Sequence, residues 1–157
     1  MCAGIRNGAI NEMLDSHSIN PGCEQVKVER HLGATASEIR YYSKYNIQLL
    51  NPKSLVVVAG ANDVSEEDPN NPNPDASDIA YRIAQIARDA KDLGVDEVYI
   101  MGIVTRRDNR YNPLIAQINI GLRYLCTTEG FHYIDNAFVK SNDLQRDGLH
   151  VNFDGKR

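Results

Sequence analysis

Apolar and polar positions alternate along the chain in a way that predicts strands separated by helices. Residues 54–60 read SLVVVAG, with five consecutive apolar side chains of which three are β-branched. Such a run is typical of a strand buried on both faces of a parallel sheet. Three shorter segments have strand character, at residues 25–31, 97–103 and 131–135.

Amphipathic stretches with helical spacing separate these strands. Thr35 and Glu38 have the spacing of a capping box, and they open a helix that we expect to end near Leu50. The clearest helix covers residues 77–93, where apolar residues recur every three or four positions and Gly94 provides a stop. Further helices are predicted at residues 4–16, from Pro113 to Gly130, and from Asn152 to the last residue.

This alternation predicts a three-layer α/β/α domain around a parallel, flavodoxin-like sheet. Four strands are predicted, whereas a sheet of this kind usually has five, so we expect the first strand to be missing. Residues 61–75, which include three prolines and five acids, and residues 136–149 are predicted loops. We therefore take residues 1–157 as a single domain that is incomplete at its N-terminus and at its C-terminus.

Composition narrows the classes of partner. The chain is 42% hydrophobic and 24% charged, as is typical of a globular protein, and its net charge is −4. That charge argues against nucleic acid as a partner, because phosphate binding requires a basic face. No apolar run approaches the roughly 18 residues of a membrane span. No apolar leader opens the chain, which favours a cytoplasmic location, although the compartment and the oligomeric state stay open.

The cysteines indicate neither a disulfide framework nor a zinc site. Their number is odd and they lie far apart, at Cys2, Cys23 and Cys126. We expect free thiols in a reducing compartment, with Cys126 on the apolar side of its helix. No phosphate-binding loop, dinucleotide fingerprint or metal-ligand pattern occurs, so we expect no cofactor and no metal.

Candidate chemistry lies after the strands, because sites in open parallel sheets gather at the carboxyl ends of their strands. Gly33 follows the strand at 25–31, and Asn62 follows the strand at 54–60. A backbone N–H at such a glycine and the amide of an asparagine can both donate to a developing oxyanion. An ordinary turn glycine and an Asn-Asp turn that ends the strand are the alternatives.

Asp147 and His150 lie three residues apart in the last predicted loop. A carboxylate on one ring nitrogen fixes the tautomer of a histidine that takes a proton from a hydroxyl, and it stabilises the imidazolium that forms. Taken alone, this spacing fits a surface aspartate and a histidine at a helix start equally well.

Three segments together carry a family resemblance. HLGATASEI at 31–39, LVVVAGANDV at 55–64 and DGLHVNFDGKR at 147–157 resemble the SGNH (GDSL-like) hydrolases. The resemblance covers nearly the whole chain and implies hydrolysis of small-molecule, lipid or sugar esters, including deacetylation, through an acyl-serine intermediate. It implies that Gly33 and Asn62 are the oxyanion donors, that His150 is the general base and that Asp147 orients it.

The chain departs from this family at the nucleophile, which in the family lies in a Gly-Asp-Ser turn after the first strand. Because a helix is predicted from residue 4, we expect the chain to begin just after that turn. Asp15-Ser16-His17-Ser18 resembles a nucleophile motif but is predicted at the opposite edge of the sheet, and Ser37 reads as a first-turn helix residue.

The resemblance therefore implies a serine esterase in its complete form, and we expect the chain as given to be inactive and unstable by itself. A non-catalytic ligand-binding module and a fragment without a stable fold are the alternatives.

Two charged clusters have more than one interpretation. The acidic residues of the loop at 61–75 could hold calcium, but they lack the spacing of a calcium loop, so a solvated rim is predicted. The arginines after the third predicted strand could bind an anionic substrate group or form a solvated face. The acidic residues are Asp63, Glu66, Glu67 and Asp68, and the arginines are Arg106, Arg107 and Arg110.

Overall fold

The computed structural model describes residues 2–6, 26–66, 75–148, 150 and 152. Within these residues, five parallel strands form one sheet in the order β2-β1-β3-β4-β5. This is the strand order of the flavodoxin-like class, so the predicted sheet type is confirmed. The strands are β1 (Cys2–Arg6), β2 (Val26–Arg30), β3 (Ser54–Val58), β4 (Glu97–Met101) and β5 (His132–Ile134).

β1 corrects the expectation of a missing first strand. It lies between β2 and β3, with Arg6 level with Arg30 of β2 and with Val58 of β3. The helix predicted at 4–16 is therefore wrong over residues 4–6, and residues 7–16 lie outside the described residues. Apolar spacing alone suggested a helix there, but β2 and β3 leave backbone groups on facing edges that only a strand between them can satisfy.

Four α-helices accompany the sheet in the described part of the chain. Strand positions move in one direction from β2 through β3 and β4 to β5, so right-handed crossovers place the three long helices on the same face. α3 lies in the middle of this row, in contact with α1 and α4. The helices are α1 (Ala36–Leu50), α2 (Ala61–Glu66), α3 (Ala76–Asp92) and α4 (Asn112–Glu129).

The core lies between this row of helices and the sheet. α3 buries Ile79, Ile83 and Ile86 completely, which confirms the helix predicted at 77–93. Small residues let α3 and α4 approach closely, because a Cβ added at Gly121 of α4 would lie 3.2 Å from the Cβ of Ala80. Burial of large aliphatic side chains, worth roughly 1.5–3 kcal/mol each, is the main stabilising contribution in such a core.

Several predicted helix ends are confirmed. The Glu38 carboxylate accepts the Thr35 backbone N–H at 2.8 Å, as the capping-box spacing indicated. α1 ends at Asn51, which adopts a left-handed conformation, and α4 ends at Gly130 with φ of 77°. Pro113 lies in the first turn of α4.

Two predictions near the loops are changed. The predicted loop at 61–75 begins with the short helix α2, whose first turn is closed by the Val64 N–H donating to the Gly60 carbonyl at 3.1 Å. Asn152 lies outside any helix, and residues 153–157 of the predicted last helix lie outside the described residues. None of the described helices is long and apolar enough to cross a bilayer.

The position of β1 has a measurable consequence in amide hydrogen exchange. All β1 amides should be protected, because a strand with two neighbours bonds on both sides, whereas only alternate amides of the edge strand β2 should be protected. Exchange followed by NMR at single residues checks this pattern. Exchange of residues 2–6 at the rate of an unfolded peptide would contradict the strand order.

Candidate active site

Gly33 lies in a tight turn directly after β2. The Ala34 N–H donates to the His31 carbonyl at 3.3 Å and closes the turn. Gly33 has φ of +73° and Leu32 has a negative φ, as in a type II turn, whose third position requires glycine. Among the described residues, no acceptor is bound to the Gly33 N–H.

Asn62 lies in the first turn of α2, directly after β3. Its Nδ2 donates to the Ala34 carbonyl at 2.9 Å, which brings the amide next to the Gly33 turn. The close approach of strand and helix depends on Gly60, where φ is +100° and a Cβ would lie 2.7 Å from both Ile83 and Ile103. The structure thus brings together the two residues expected to donate to an oxyanion.

The carboxylate of Asp63, in α2, holds the first residue of α1 next to α2. Its side chain is fully buried, Oδ2 accepts the Ala36 N–H at 2.9 Å and Oδ1 lies 3.2 Å from Arg82 Nη1. Burial raises the pKa of Asp63, while the Ala36 N–H and Arg82 act in the opposite direction. The predicted solvated rim is therefore wrong for Asp63. The side chain of Glu66 and the residues Glu67 and Asp68 lie outside the described residues.

Asp147 and His150 form a close pair. His150 Nδ1 lies 2.5 Å from Asp147 Oδ2, and the His150 backbone N–H donates to Asp147 Oδ1 at 3.0 Å. An ionised carboxylate only accepts hydrogen bonds, so this contact keeps the imidazole proton on Nδ1 and leaves Nε2 as an acceptor. The two side chains are 41% and 45% exposed, so the pair opens to solvent.

The backbone of the loop around this pair is internally bonded. The Gln145 N–H donates to the His150 carbonyl at 2.6 Å, and the Gly148 N–H donates to the Gln145 carbonyl at 2.9 Å. Gly148 has φ of +68°, and a Cβ there would lie 2.7 Å from the Cβ of Arg107. The glycine between Asp147 and His150 is thus required both by its backbone conformation and by the approach of Arg107.

The three arginines after β4 differ in environment. Arg106 is buried, and it donates to the Ala61 carbonyl and, at 2.9 Å, to Ser65 Oγ. Arg107 donates to backbone carbonyls of the loop that carries Asp147. Arg110 is exposed and pairs with Asp108. The solvated-face interpretation therefore fits Arg110 but not Arg106.

Solved structures with a similar fold include lipases and acetylxylan esterases. A GDSL-like lipase from Bacteroides thetaiotaomicron superposes with a TM-score of 0.75 and 16% identity, over 98% of this chain and 80% of its own. The chain has the SGNH/GDSL hydrolase fold. An acetylxylan esterase from Geobacillus stearothermophilus gives a TM-score of 0.74 and 11% identity, over 99% of this chain and 88% of its own.

A further acetylxylan esterase superposes with a TM-score of 0.72 and 16% identity, over 100% of this chain and 94% of its own. These SGNH/GDSL neighbours confirm the predicted three-layer α/β/α class. At the level of sequence, no family model and no curated protein matches the chain. Two structures of the Geobacillus esterase are catalytic mutants, in which a serine or a histidine is replaced by alanine.

No nucleophile can be assigned among the described residues. β1 is followed in sequence by Asn7, Gly8 and Ala9, and the Asp15-Ser16-His17-Ser18 motif lies outside the described residues. Ser37 is exposed in the first turn of α1. Cys126 is buried in the core, as its helical position indicated, and burial raises the pKa of its thiol to about 11. In the described part of the chain no acidic, histidine or cysteine side chains cluster as metal ligands do.

Sequence reasoning missed two contributors to the site, Asp63 and the Arg106–Arg107 pair. Asp63 carried a signal, since it follows Asn62 directly at the carboxyl edge of the sheet. Nothing in the pattern of the chain indicated that its partners would be Ala36 and Arg82, because those contacts span 27 and 19 residues.

Replacing the buried carboxylate should destabilise the fold. Asp63→Ala removes the partner of the Ala36 N–H and the buried partner of Arg82, so we expect a loss of about 3 kcal/mol in the free energy of unfolding. Asp78→Ala is the matched control, because Asp78 pairs with the same Arg82 from an exposed position, and it should cost less than about 1 kcal/mol. Equal losses in urea titrations of the two variants would contradict the role of Asp63.

Two glycine substitutions separate backbone conformation from close approach. Gly130→Ala introduces only left-handed strain, of about 1 kcal/mol, since a Cβ there meets no atom within 4 Å. Gly148→Ala adds a clash with the Arg107 Cβ, 2.7 Å away, and should cost clearly more in thermal unfolding. It should also shift the NMR signals of Asp147 and His150. If both variants melt alike and those signals stay in place, the packing of Gly148 on Arg107 is not a constraint.

Proposed function

We propose that this domain serves the hydrolysis of carboxylic esters through a serine-type mechanism. The observation that carries the proposal is the 2.5 Å contact between Asp147 Oδ2 and His150 Nδ1, in a fold whose solved neighbours include lipases and acetylxylan esterases. The substrates belong to the class of small-molecule esters, among which a sugar or lipid acetate is the finer proposal.

His150 acts as the general base in this mechanism. With its proton on Nδ1 and shared with Asp147, Nε2 accepts the proton of the attacking hydroxyl and later returns it to the leaving alcohol as the acyl–oxygen bond breaks. Asp147 keeps the ring in that tautomer and stabilises the imidazolium. Asp147 is therefore a positioning residue that acts through His150.

Gly33 and Asn62 stabilise the negative charge that develops on the carbonyl oxygen. One amide hydrogen of Asn62 is bound to the Ala34 carbonyl, which fixes the orientation of the amide and presents the second hydrogen. The Gly33 N–H, which has no acceptor among the described residues, lies in the adjoining turn. Two such donors, preorganised before the reaction, are worth more than donors that must reorient as the charge forms.

The nucleophile is the part of the machinery that we assign to no described residue. In the SGNH/GDSL pattern it lies in a Gly-Asp-Ser turn at the end of the first strand, and here β1 ends at Arg6. We propose that the chain as given carries the acid–base and oxyanion groups without turning over esters by itself.

A variant with a restored turn tests the proposal. Arg6→Gly, Asn7→Asp and Gly8→Ser together place the family's Gly-Asp-Ser sequence at the end of β1, and hydrolysis of p-nitrophenyl acetate should then appear. The matched control carries Gly8→Ala with the same other two changes. In the active variant, His150→Ala should lower kcat/KM by about 1,000-fold or more, and Asn62→Ala by on the order of 100-fold. Activity that is equal with serine or alanine at position 8 would contradict the mechanism.

A non-catalytic binding module is the second candidate, favoured by the sequence Asn7-Gly8-Ala9 after β1. It predicts that the unaltered chain binds an ester saturably and releases it unchanged. Calorimetric titration with an ester, followed by recovery of the ligand, distinguishes this function from hydrolysis. Asn62→Ala should weaken that binding, since the amide would hold the ground-state carbonyl.

A further inference from the structure

The candidate site has two halves carried by distant parts of the chain. Gly33 and Asn62 follow β2 and β3, whereas Asp147 and His150 lie in a loop that follows β5. The side chains of the loop pair are 41% and 45% exposed, so burial holds them in place only in part. A working site requires its groups within about 0.5 Å of the productive geometry, so a separate element must fix the distance between the halves.

The segment after β4 has the anchoring that such an element needs. The Arg106 N–H donates to Asn112 Oδ1 at 2.8 Å, and the Arg106 carbonyl accepts from Asn112 Nδ2 at 2.9 Å. Asn112 is the first residue of α4, which packs against α3 in the core. One side chain thus bonds both backbone groups of Arg106 and fixes this point of the chain to the rigid row of helices.

The Arg106 side chain extends from this point to the helix that carries Asn62. Its Nη2 donates to the carbonyl of Ala61, the residue before Asn62, and to Ser65 Oγ one turn later. The guanidinium also lies over the ring of Tyr111, 4.7 Å from its centroid. Nε is fully buried and has no partner among the described residues, so an anionic ligand cannot reach it. This geometry suits a side chain that links two structural elements, and it does not suit a binding site for an anion.

The next residue bonds the other half. The Arg107 N–H donates to the Gly148 carbonyl at 2.9 Å, Nη1 donates to the Arg146 carbonyl at 3.3 Å and Nη2 donates to the Leu144 carbonyl at 3.2 Å. These three carbonyls belong to the loop that carries Asp147 and His150, and two of them adjoin Asp147 directly. A planar guanidinium with two separate donors is suited to bridging carbonyls in this way.

We infer that Arg106 and Arg107 are positioning residues, which set the His150 loop against the Asn62 helix from one point anchored on Asn112. The inference rests on the proposed function in one respect, which is that catalysis requires a fixed distance between the His150 loop and the Asn62 helix. Adjacent residues of an irregular segment can direct their side chains to different elements, and here one binds each half of the site.

The tautomer of His150 tests this inference without any ester. In the full chain labelled with nitrogen-15 histidine, at a pH where the ring is neutral, His150 should carry its proton on Nδ1, because Asp147 accepts it there. Arg107→Met removes the guanidinium bonds to the Leu144 and Arg146 carbonyls, so the loop should move and the tautomer should return to the Nε2–H form preferred by free imidazole. Arg110→Met removes an exposed arginine that pairs with Asp108, and it should leave the tautomer unchanged.

The outcomes separate positioning from stability alone. If Arg107→Met lowers the melting temperature while the folded protein keeps the Nδ1–H tautomer and the NMR signals of Asn62, Asp147 and His150 stay in place, Arg107 only stabilises the fold and the inference is wrong. If Arg107→Met does not fold, Arg107→Lys decides, because lysine keeps the charge but cannot bridge two carbonyls and should still shift the tautomer. In the variant with the restored Gly-Asp-Ser turn, Arg107→Met should lower kcat by about 100-fold with KM nearly unchanged. A tautomer change without esterase activity in the restored variant supports the positioning role and counts against the proposed function.

Discussion

The buried carboxylate of Asp63 is the interaction on which the candidate site depends. It accepts the first free N–H of α1 and pairs with Arg82 of α3, while its own backbone belongs to α2. Three helices are thereby joined at the carboxyl edge of the sheet. Because Gly33 precedes α1 and Asn62 precedes Asp63, the same carboxylate helps to fix Gly33 relative to Asn62. A buried carboxylate needs partners for its oxygens, and each oxygen of Asp63 has one.

The hydrogen bond from Asn62 to the Ala34 carbonyl completes the arrangement above the carboxylate. It engages one of the two amide hydrogens of Asn62 and thereby fixes the orientation of the other. Glycine at position 33 permits the turn that brings its N–H to the same place. The arrangement at this edge therefore follows from a few backbone and carboxylate contacts.

The sequence predicted the parts of this structure that depend on local pattern. The buried strand at 54–60, the helix at 77–93 and the Thr35–Glu38 cap are all present, because burial and capping leave periodic signals in a short stretch of chain. Residues 2–6 were misjudged, since a central strand without a strong apolar run is specified by its neighbours β2 and β3.

The same distinction separates the site residues. Gly33, Asn62, Asp147 and His150 could be named as candidates from the sequence because they fall in motifs of the SGNH/GDSL pattern. The structure brings the first two together and the last two together, and their catalytic roles stay predictions. Asp63 and Arg106 have partners far away in sequence, so their roles emerge only when the chain is folded.

Titration of the unaltered chain with acetate tests the central claim most directly, because a carboxylate product presents its oxygen to the same donors as the oxyanion. The account predicts that the Gly33 N–H and the Asn62 side-chain N–H signals shift together in NMR spectra and saturate at the same acetate concentration. Acetate that shifts only one of them, or that shifts neither while binding elsewhere, would contradict a shared oxyanion site.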